Sequence, residues 1–397
     1  MKNIRRIFQI DYRSLAAFRF ALAIASMTVL LNSESSCTSL CGGLHLIAAV
    51  SLFFGWYTRL ANFVCLIMLC FLPPMASQGN AEVLLRLLTF WGLFLPIGAR
   101  WSIDSALASN QAKGVLSDLC SAALIIQISI IYLFGELVHY IHTQNYQLIL
   151  LLLSILLIFS PFKNARCRML TIIAFALMHY YSLINSDSQF YDWVCLSMFL
   201  VLIPSEVWNY LAVKLRRPNY HKIEIFYDGD CGFCKKCALI LIEFLGFSRS
   251  QIQAAQNNVE IEDTMRCVNS WVVRDHKGAI YTEFKAGIIL CGSWWILDPL
   301  KKILLFPPVF RTGNWCYRMV ANNRQRLGLI TRYLTNKPLK SKSHWSTQIL
   351  ALIFMIFVMV CNILKLNQLQ FTNNYESYLH YICTNHCKLC NWNRGYK

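Results

Sequence analysis

The chain has few charged residues, and among these the acidic ones are in short supply. Of its 397 residues only 14% are charged, whereas 56% are hydrophobic, and the mean hydropathy is +0.43. Soluble proteins carry more charge, about a quarter of their residues, because their surface must stay hydrated. This scarcity of charge excludes a wholly soluble protein and predicts that part of the chain lies in a membrane.

Long apolar runs recur through residues 1–215, which we predict to form an α-helical multi-pass membrane domain. Crossing roughly 30 Å of hydrocarbon takes about 20 apolar residues in a helix. We predict about eight spans, at 15–31, 44–56, 61–76, 83–97, 119–138, 148–161, 170–184 and 193–213. Pro73 and Pro74 interrupt the third run, so the third or the fourth can equally be re-entrant. A ninth membrane helix is predicted over 345–366.

A clean cleavage site for a signal peptide is also lacking. Arg5 and Arg6 precede the first apolar run, as in a signal peptide, but Arg13 and Arg19 interrupt that run and no suitable small-residue site follows. We therefore expect the first helix to remain uncleaved.

The shortage of acidic residues leaves a formal net charge of +17. In a soluble protein such a charge indicates nucleic acid, but here Lys and Arg gather in alternate loops, as they do on the cytoplasmic side of membrane proteins. Basic residues occur at 2–13, 59, 100–113, 163–168 and 214–217, whereas the loops 32–43, 77–82, 139–147 and 185–192 contain none. We therefore expect no nucleic-acid partner, a cytoplasmic N-terminus and a cytoplasmic segment 216–344. The tail, 367–397, would lie on the opposite side.

The segment 216–344 lacks membrane-length apolar runs, and we predict a soluble domain of about 130 residues. It carries Cys231-x-x-Cys234 between a predicted strand at 222–228 and a predicted helix at 232–245. A disulfide closes only when its two Cα atoms lie within roughly 7 Å, which this spacing at a helix start provides. The helix N-terminus favours a negative sulfur. We expect a redox-active dithiol, with Cys231 attacking and Cys234 resolving, and no further cofactor.

The remaining pattern of the domain predicts an α/β fold. A short strand is expected at 252–255, a hairpin with strands 270–274 and 279–281 around a turn at 275–278, and helices at 285–297 and 313–327. The order of a βαβ unit, a hairpin and a helix is that of a thioredoxin-like fold.

Two separated motifs in this domain carry a family resemblance. Asp228-x-x-Cys231-x-x-Cys234, together with Tyr317-Arg318-x-Val320-Ala321-x-Asn323-Arg324, resembles the DCC family of thiol-disulfide oxidoreductases, also called DUF393, over about 223–328. The resemblance implies a dithiol site of Cys231 and Cys234 with Asp228 as its third member. The carboxylate of Asp228 would either accept the proton of the resolving thiol or fix the turn with Gly229, and both roles stay open.

The membrane half carries a second resemblance. Asp11-Tyr12-Arg13-Ser14-Leu15 with Phe18-Arg19, and the block 84–104, resemble the HTTM domain, which is related to the membrane part of vitamin K-dependent gamma-carboxylases. HTTM domains occur fused to DCC domains in bacteria, which implies a bacterial inner (cell) membrane protein. No carboxylase active-site motif is matched, so neither that reaction nor a glutamyl substrate is implied. A quinone or lipid ligand remains open for this half.

Missing ligands argue against a metal in the soluble domain. Cys231, Cys234 and Cys237 form a C-x2-C-x2-C run that opens an iron-sulfur motif, but its fourth cysteine and proline are absent. Zinc would need a fourth ligand at no recognised spacing. A proline opposite the CxxC pair, which thioredoxins use to hold a substrate strand, is also missing, since Asn269 and Ser270 stand there. The missing proline argues against a partner that binds as an extended peptide strand.

The cysteines outside the domain leave alternatives open. In the tail, Cys383, His386, Cys387 and Cys390 have a spacing that suits zinc or a disulfide, and Cys37 and Cys41 of the first exterior loop could pair. We predict a membrane-bound thiol-disulfide oxidoreductase of the protein-disulfide reductase type, with an unknown thiol or disulfide protein as its partner. The alternatives are a redox sensor without turnover, a membrane scaffold that binds lipid or quinone, and a metal-binding module.

Overall fold

The computed structural model describes residues 6–32, 40–71, 79–112, 114–143, 147–185, 189–331, 338 and 343–361. Within these residues the chain is mostly helical, with a small sheet in the predicted soluble domain. The candidate ligands of the tail, Cys383, His386, Cys387 and Cys390, lie outside the described residues, and so does Cys37.

The first part of the chain is a helical bundle. Its short strands β1 (Ile10–Asp11) and β2 (Val115–Leu116) pair antiparallel. The helices are α1 (Tyr12–Asn32), α2 (Leu40–Phe54), α3 (Thr58–Phe71), α4 (Gly79–Phe94), α5 (Ile103–Leu107), α6 (Leu119–Thr143), α7 (Gln147–Ile158), α8 (Asn164–Asn185), α9 (Gln189–Phe199) and α10 (Ser205–Leu215). Most of them pack against the next helix in the chain, and Phe18, Leu85 and Trp91 are fully buried among them.

Two described helices are long and apolar enough to cross a membrane, namely α1 and the segment Asn164–Ile184 of α8. Shorter apolar helices are found at Leu40–Phe54, Thr58–Phe71, Leu119–Tyr132 and Trp345–Cys361. Each predicted run before 193 overlaps one of the described helices. The run 193–213 is not one straight helix, because the axes on either side of Pro204 differ by 91°. Pro204 has no N–H to continue the first helix, and it forms the N-cap of α10 instead.

Buried polar contacts tie the block 96–104 into the bundle. The guanidinium of Arg19, fully buried, donates hydrogen bonds to the carbonyls of Leu52 and Trp101. The carboxylate of Asp104 accepts from the backbone N–H of Tyr57 (3.0 Å) and of Thr58 (2.8 Å). These bonds hold the segment after α4 against α1 and the start of α3.

The predicted soluble domain contains a four-stranded sheet. Its strands are β3 (Glu224–Tyr227), β4 (Ile252–Ala254), β5 (Val272–Arg274) and β6 (Ile280–Thr282), in the order β4-β3-β5-β6. β3 runs parallel to β4 and antiparallel to β5, which pairs antiparallel with β6. The helices are α11 (Gly232–Leu245), α12 (Val259–Val268), α13 (Glu283–Cys291), α14 (Asp298–Leu305), α15 (Pro307–Asn322) and α16 (Arg324–Thr331), and α17 (Trp345–Cys361) follows the domain.

Alternation along the strands divides the core between the two faces of the sheet. Ile225 and Val273 pack on one face with residues of α11 and α13, whereas Phe226 and Val272 pack on the other with residues of α12. Successive side chains of a strand point to opposite faces, so a strand covered on both faces buries consecutive residues, as β3 does at Ile225 and Phe226. Helices on both sides therefore fix β3 at the centre of the domain.

The predicted elements of the domain are confirmed near the CxxC pair and need correction further on. The helix at 232–245 ends at Gly246, whose φ of 68° is the left-handed conformation that glycine adopts easily. The hairpin is present as β5 and β6. The helix expected over 285–297 ends at Cys291, and that expected over 313–327 is two helices that break at Asn323. Pro299 is the second residue of α14 and Pro307 is the first residue of α15, positions in the first turn where the missing N–H of proline costs no hydrogen bond.

The helix that follows the CxxC pair is anchored on the bundle. The carboxylate of Glu243, near the end of α11, is only 3% exposed and accepts hydrogen bonds from the N–H of Trp101 (3.0 Å), the hydroxyl of Ser105 (3.0 Å) and the amide of Gln111 (3.3 Å). Arg249 donates to carbonyls at the end of α5. The two parts of the chain therefore share a polar interface at α5 and α11.

Candidate dithiol site

The CxxC pair lies where β3 ends and α11 begins. β3 is buried at Ile225 and Phe226, and its end places Asp228 at the edge of the sheet. The backbone N–H of Cys231 donates to the carbonyl of Asp228 at 3.2 Å, which closes the turn. Cys231 is then the N-cap of α11 with extended backbone, and Cys234 lies in the first turn of the helix.

The two thiols have different partners. The Sγ atom of Cys231 accepts a hydrogen bond from the backbone N–H of Cys234 at 3.3 Å. Such a bond, together with the positive end of the helix dipole, stabilises a negative charge on that sulfur. Both sulfurs and a carboxylate oxygen of Asp228 lie within 4.8 Å of one another, and both cysteines are free thiols. The structure thus brings together the three residues that the sequence singles out.

Burial makes the Cys234 thiol a weaker acid than a thiol in water. Removal from water raises the pKa of the Cys234 thiol to about 12, and the neighbouring Cys231 sulfur acts in the same direction. The positive charge of Arg324 opposes this shift. Burial likewise raises the pKa of Cys237 to about 11. Cys234 therefore holds its proton at neutral pH, and only the thiolate of a cysteine attacks a disulfide.

The carboxylate of Asp228 connects three parts of the site. One oxygen accepts from the N–H of Asp230 (3.1 Å) and the amide of Gln256 (3.2 Å), and the other lies 3.2 Å from a guanidinium nitrogen of Arg324. Asp228 thus fixes the turn before the CxxC pair. The sequence analysis does not predict Gln256 as a residue of the site. Gln256 follows β4, and β4 runs parallel to β3 with Ala254 opposite Tyr227. Parallel neighbours end at the same edge of a sheet, and this is the signal that points to Gln256.

The second sequence motif packs against the first. The hydroxyl of Tyr317 lies 3.0 Å from that of Ser270 and accepts from the backbone N–H of Trp271 at 3.3 Å. Arg318 donates to Glu283 at 2.8 Å, and Arg324 pairs with Asp228. These contacts hold α15 and the start of α16 across the end of the sheet that carries the cysteines. The two motifs are distant in sequence and form one site.

A cavity of about 320 Å³ opens beside Cys234. Its walls are mainly apolar, with polar groups at Asp228, Asn269, Ser270 and Arg324. The other lining residues are Phe233, Cys234, Cys237, Ala238, Leu241, Met265, Trp271, Tyr317, Val320 and Ala321. Asn269 and Ser270 line this cavity together with Cys234.

The same three residues could also hold a metal ion. Asp228, Cys231 and Cys234 offer one oxygen and two sulfurs, a donor set that zinc accepts. Cys237 does not belong to this group among the described residues. The three donors would leave the fourth position of a tetrahedral ion to water.

Comparison with known proteins bears on the segment that contains this site. The family model of DCC1-like thiol-disulfide oxidoreductases matches residues 225–329, from β3 to α16. The match includes Asp228, the CxxC pair and the second motif, and it supports the DCC resemblance for this part of the chain. Neither the curated proteins nor the solved structures contain a match to the chain. The HTTM resemblance of 1–215 stays a prediction.

Proposed function

We propose that the protein is a membrane-bound thiol-disulfide oxidoreductase of the protein-disulfide reductase type, in which Cys231 attacks and Cys234 resolves. The observation that carries the proposal is the position of Cys231 at the N-cap of α11, where its sulfur accepts the N–H of Cys234 beside the carboxylate of Asp228. This arrangement lies in the segment matched by the family model.

The reaction would proceed by two exchanges. The Cys231 thiolate attacks one sulfur of a partner disulfide, so that a mixed disulfide forms while the second partner sulfur leaves and takes up a proton. Cys234 then gives its proton to Asp228 and attacks the Cys231 sulfur. The Cys231–Cys234 disulfide forms, and the first partner sulfur leaves as a thiolate that takes up the proton held by Asp228. Two electrons pass from the dithiol to the partner, and an external dithiol would restore the reduced pair.

The structure around the pair favours a partner held by side chains. A thioredoxin-like domain binds substrate along the strand next to its CxxC pair, and β5 is that strand in the sheet described above. Here the N–H of Trp271, just before β5, already donates to the Tyr317 hydroxyl. We infer that the apolar cavity beside Cys234 receives an apolar side chain next to the partner disulfide.

The proposed location follows from the charge pattern and the apolar helices. α1 and α8 would anchor the protein in a bacterial inner membrane, with the dithiol domain in the cytoplasm, and the Glu243 contacts would hold α11 close to the bundle. In a reducing compartment, reduction of a partner is more favourable than oxidative folding.

The decisive experiment is disulfide trapping with the full-length protein in detergent. Cys234→Ser should accumulate a mixed disulfide between Cys231 and its partner, because the resolving thiol is gone, whereas Cys231→Ser should abolish exchange. Cys316→Ser is the matched control, since this cysteine is exposed and remote in sequence from the pair. If Cys231→Ser exchanges as fast as the Cys316→Ser control, the oxidoreductase assignment is wrong. A pair that cycles between dithiol and disulfide without turnover would indicate a sensor.

The clustering of Asp228, Cys231 and Cys234 supports metal binding as a second candidate. Metal content of the purified full-length protein separates the two functions. Stoichiometric zinc that is retained in the wild type and lost in both Cys234→Ser and Asp228→Ala would replace the redox assignment. Metal-free protein with a reactive Cys231 would support the redox assignment.

A further inference from the structure

The soluble domain exposes an apolar stripe on its outer surface. Leu300 and Ile303 lie in α14 at the three-residue spacing that brings side chains to one side of a helix, and Ile296 and Phe306 lie just before and just after it. The exposed fractions of Ile296, Leu300, Ile303 and Phe306 are 64%, 41%, 59% and 59%. We call these four residues the α14 stripe. α14 contains no buried residue. An outward face of a soluble helix is normally polar, so an apolar one of this length indicates a surface that is covered by something else.

The surroundings of the α14 stripe are basic and aromatic. Lys301 and Lys302 lie in α14, and Arg311 lies in the following helix α15. The only acidic residue between 295 and 311 is Asp298, which forms an ion pair with Arg217. Trp315, on the following helix, is 64% exposed. Apolar residues beside Lys and Arg, with exposed aromatic rings, are the composition of helices that lie in the interface of an anionic membrane.

The connection to the bundle brings this surface next to the predicted spans. α9 packs against α8, which is one of the helices long and apolar enough to cross a membrane. α10 leaves α9 at an angle of 91°. α10 exposes Tyr210 and Val213 at 60% and 80%. The polypeptide therefore enters the predicted soluble domain from a helix with exposed apolar side chains that turns away from α9.

Direct contacts join the end of α10 to the start of α14. Arg217, just after α10, donates to both carboxylate oxygens of Asp298 at 2.7 and 2.6 Å, and its guanidinium lies 4.1 Å from the centre of the Trp295 ring. Arg216 lies 4.6 Å from the Trp294 ring. The α14 stripe therefore begins next to the end of α10.

We propose that the α14 stripe is a lipid-binding surface, through which the soluble domain lies on the anionic cytoplasmic face of the bilayer. The apolar side chains enter the boundary between headgroups and acyl chains, and Lys301, Lys302 and Arg311 contact lipid phosphates. This surface holds the dithiol domain at a fixed height, and it does not depend on the chemistry of the CxxC pair.

Photo-crosslinking of the full-length protein tests the proposal. The protein carries p-benzoylphenylalanine at Ile303 and is reconstituted in vesicles of equal parts phosphatidylcholine and phosphatidylglycerol. Val259, an equally apolar and 75% exposed residue on α12, is the matched control position. Mass spectrometry of the digested protein should find a phospholipid adduct at position 303 and none at position 259. Both positions are exposed, so neither replacement disturbs a core.

The other outcomes decide against lipid. A crosslink from position 303 to a second copy of the chain, or to the segment 362–397 of the same chain, would identify a protein occupant and overturn the proposal. The absence of an adduct at 303, or equal lipid adducts at both positions, would overturn it as well. The double variant Lys301→Gln, Lys302→Gln should lower the adduct yield roughly fivefold or more, because each basic side chain adds attraction to an anionic surface. An unchanged yield would exclude the basic residues from binding.

Discussion

At the scale of single residues, the two cysteines differ more in surroundings than in sequence context. Cys231 caps a helix and its sulfur accepts an amide, whereas burial raises the pKa of the Cys234 thiol to about 12. A thiol with such a pKa is almost fully protonated at neutral pH, so its attack on a mixed disulfide needs a base. In the proposed mechanism Asp228 is this base, because one of its carboxylate oxygens lies within 4.8 Å of both sulfurs.

Asparagine at position 228 separates the two roles of this residue. Asp228→Asn keeps an oxygen that can accept from Asp230 and Gln256, but it removes the base. We expect the resolving step to slow by about a hundredfold, as for the loss of a general base, while the first attack by Cys231 is retained. Stopped-flow measurement of mixed-disulfide formation and decay reports both steps. Equal rates of mixed-disulfide decay in Asp228→Asn and the wild type would show that Asp228 is not the base and only stabilises the turn. Asp228→Ala would then measure how much the turn depends on this side chain.

The pH dependence of the same step follows from the pKa of Cys234. Burial raises the pKa of Cys234, and below its pKa the fraction of a thiol that is present as thiolate rises tenfold per pH unit. Decay of the mixed disulfide in Asp228→Asn should therefore accelerate about tenfold per unit between neutral pH and the pKa. The wild type should depend less on pH in this range, because Asp228 accepts the proton. Rates that fall with rising pH in the variant would contradict the assignment of Cys234 as the resolving thiol.

Some contacts of the site could not be predicted from the sequence. The triad of Asp228, Cys231 and Cys234 is predictable because a strand, a turn and a helix start place neighbours in sequence close in space. Arg324 is remote in sequence, and its pairing with Asp228 depends on how α15 and α16 cross the sheet. No local sequence pattern predicts how these helices cross the sheet. The family resemblance assigns both segments to one domain, but it does not predict the contact between Arg324 and Asp228.

At the scale of elements, prediction succeeds where one signal is strong. β3 is a short apolar run, and α11 has a cysteine N-cap and a glycine C-cap, so their bounds follow from the sequence. α12 was not predicted, since its sequence is largely polar and only Ile261 and Met265 are buried. The break between α15 and α16 has no proline or glycine to mark it, because Asn323 ends one helix and the next begins at once.

The interface between α5 and α11 should contribute measurably to stability. In Glu243→Ala, the N–H of Trp101 and the hydroxyl of Ser105 lose a buried acceptor, and Arg100 loses its ion pair. We expect a loss of about 3 kcal/mol, as for breaking a buried ionic contact from one side. The measurement is the free energy of unfolding of the full-length protein in detergent.

Glu262→Ala is the control for this interface. Glu262 pairs with Arg266 one turn further along α12, and the arginine is 72% exposed. Exposed pairs of this kind contribute about 0.5 kcal/mol or less. Equal losses in the two variants would show that the Glu243 contacts are no stronger than a surface pair, and that α11 is not anchored on the bundle.

At the scale of the whole molecule, the proposed activity requires that dithiol and bundle occupy defined sides of one membrane. The alternation of basic loops predicts the side, and α1 and α8 are long enough to anchor the chain. The bend at Pro204 turns the chain before the segment 216–344 begins. Pro204, Ser205 and Glu206 interrupt the apolar run 193–213 in the sequence, but this interruption does not give the direction in which the chain turns.

Labelling of cysteines in intact bacterial cells tests this arrangement. Cys267 and Cys316 are exposed on the soluble domain, so an impermeant maleimide should leave both unmodified in intact cells and modify both after the membrane is opened. Peptide mapping by mass spectrometry distinguishes them from the other cysteines. Cys65, which is fully buried in the bundle, should stay unmodified in both samples and controls for unfolding. Modification of Cys267 and Cys316 in intact cells would place the dithiol domain outside the cytoplasm, where oxidation of a partner would be the favoured direction of exchange.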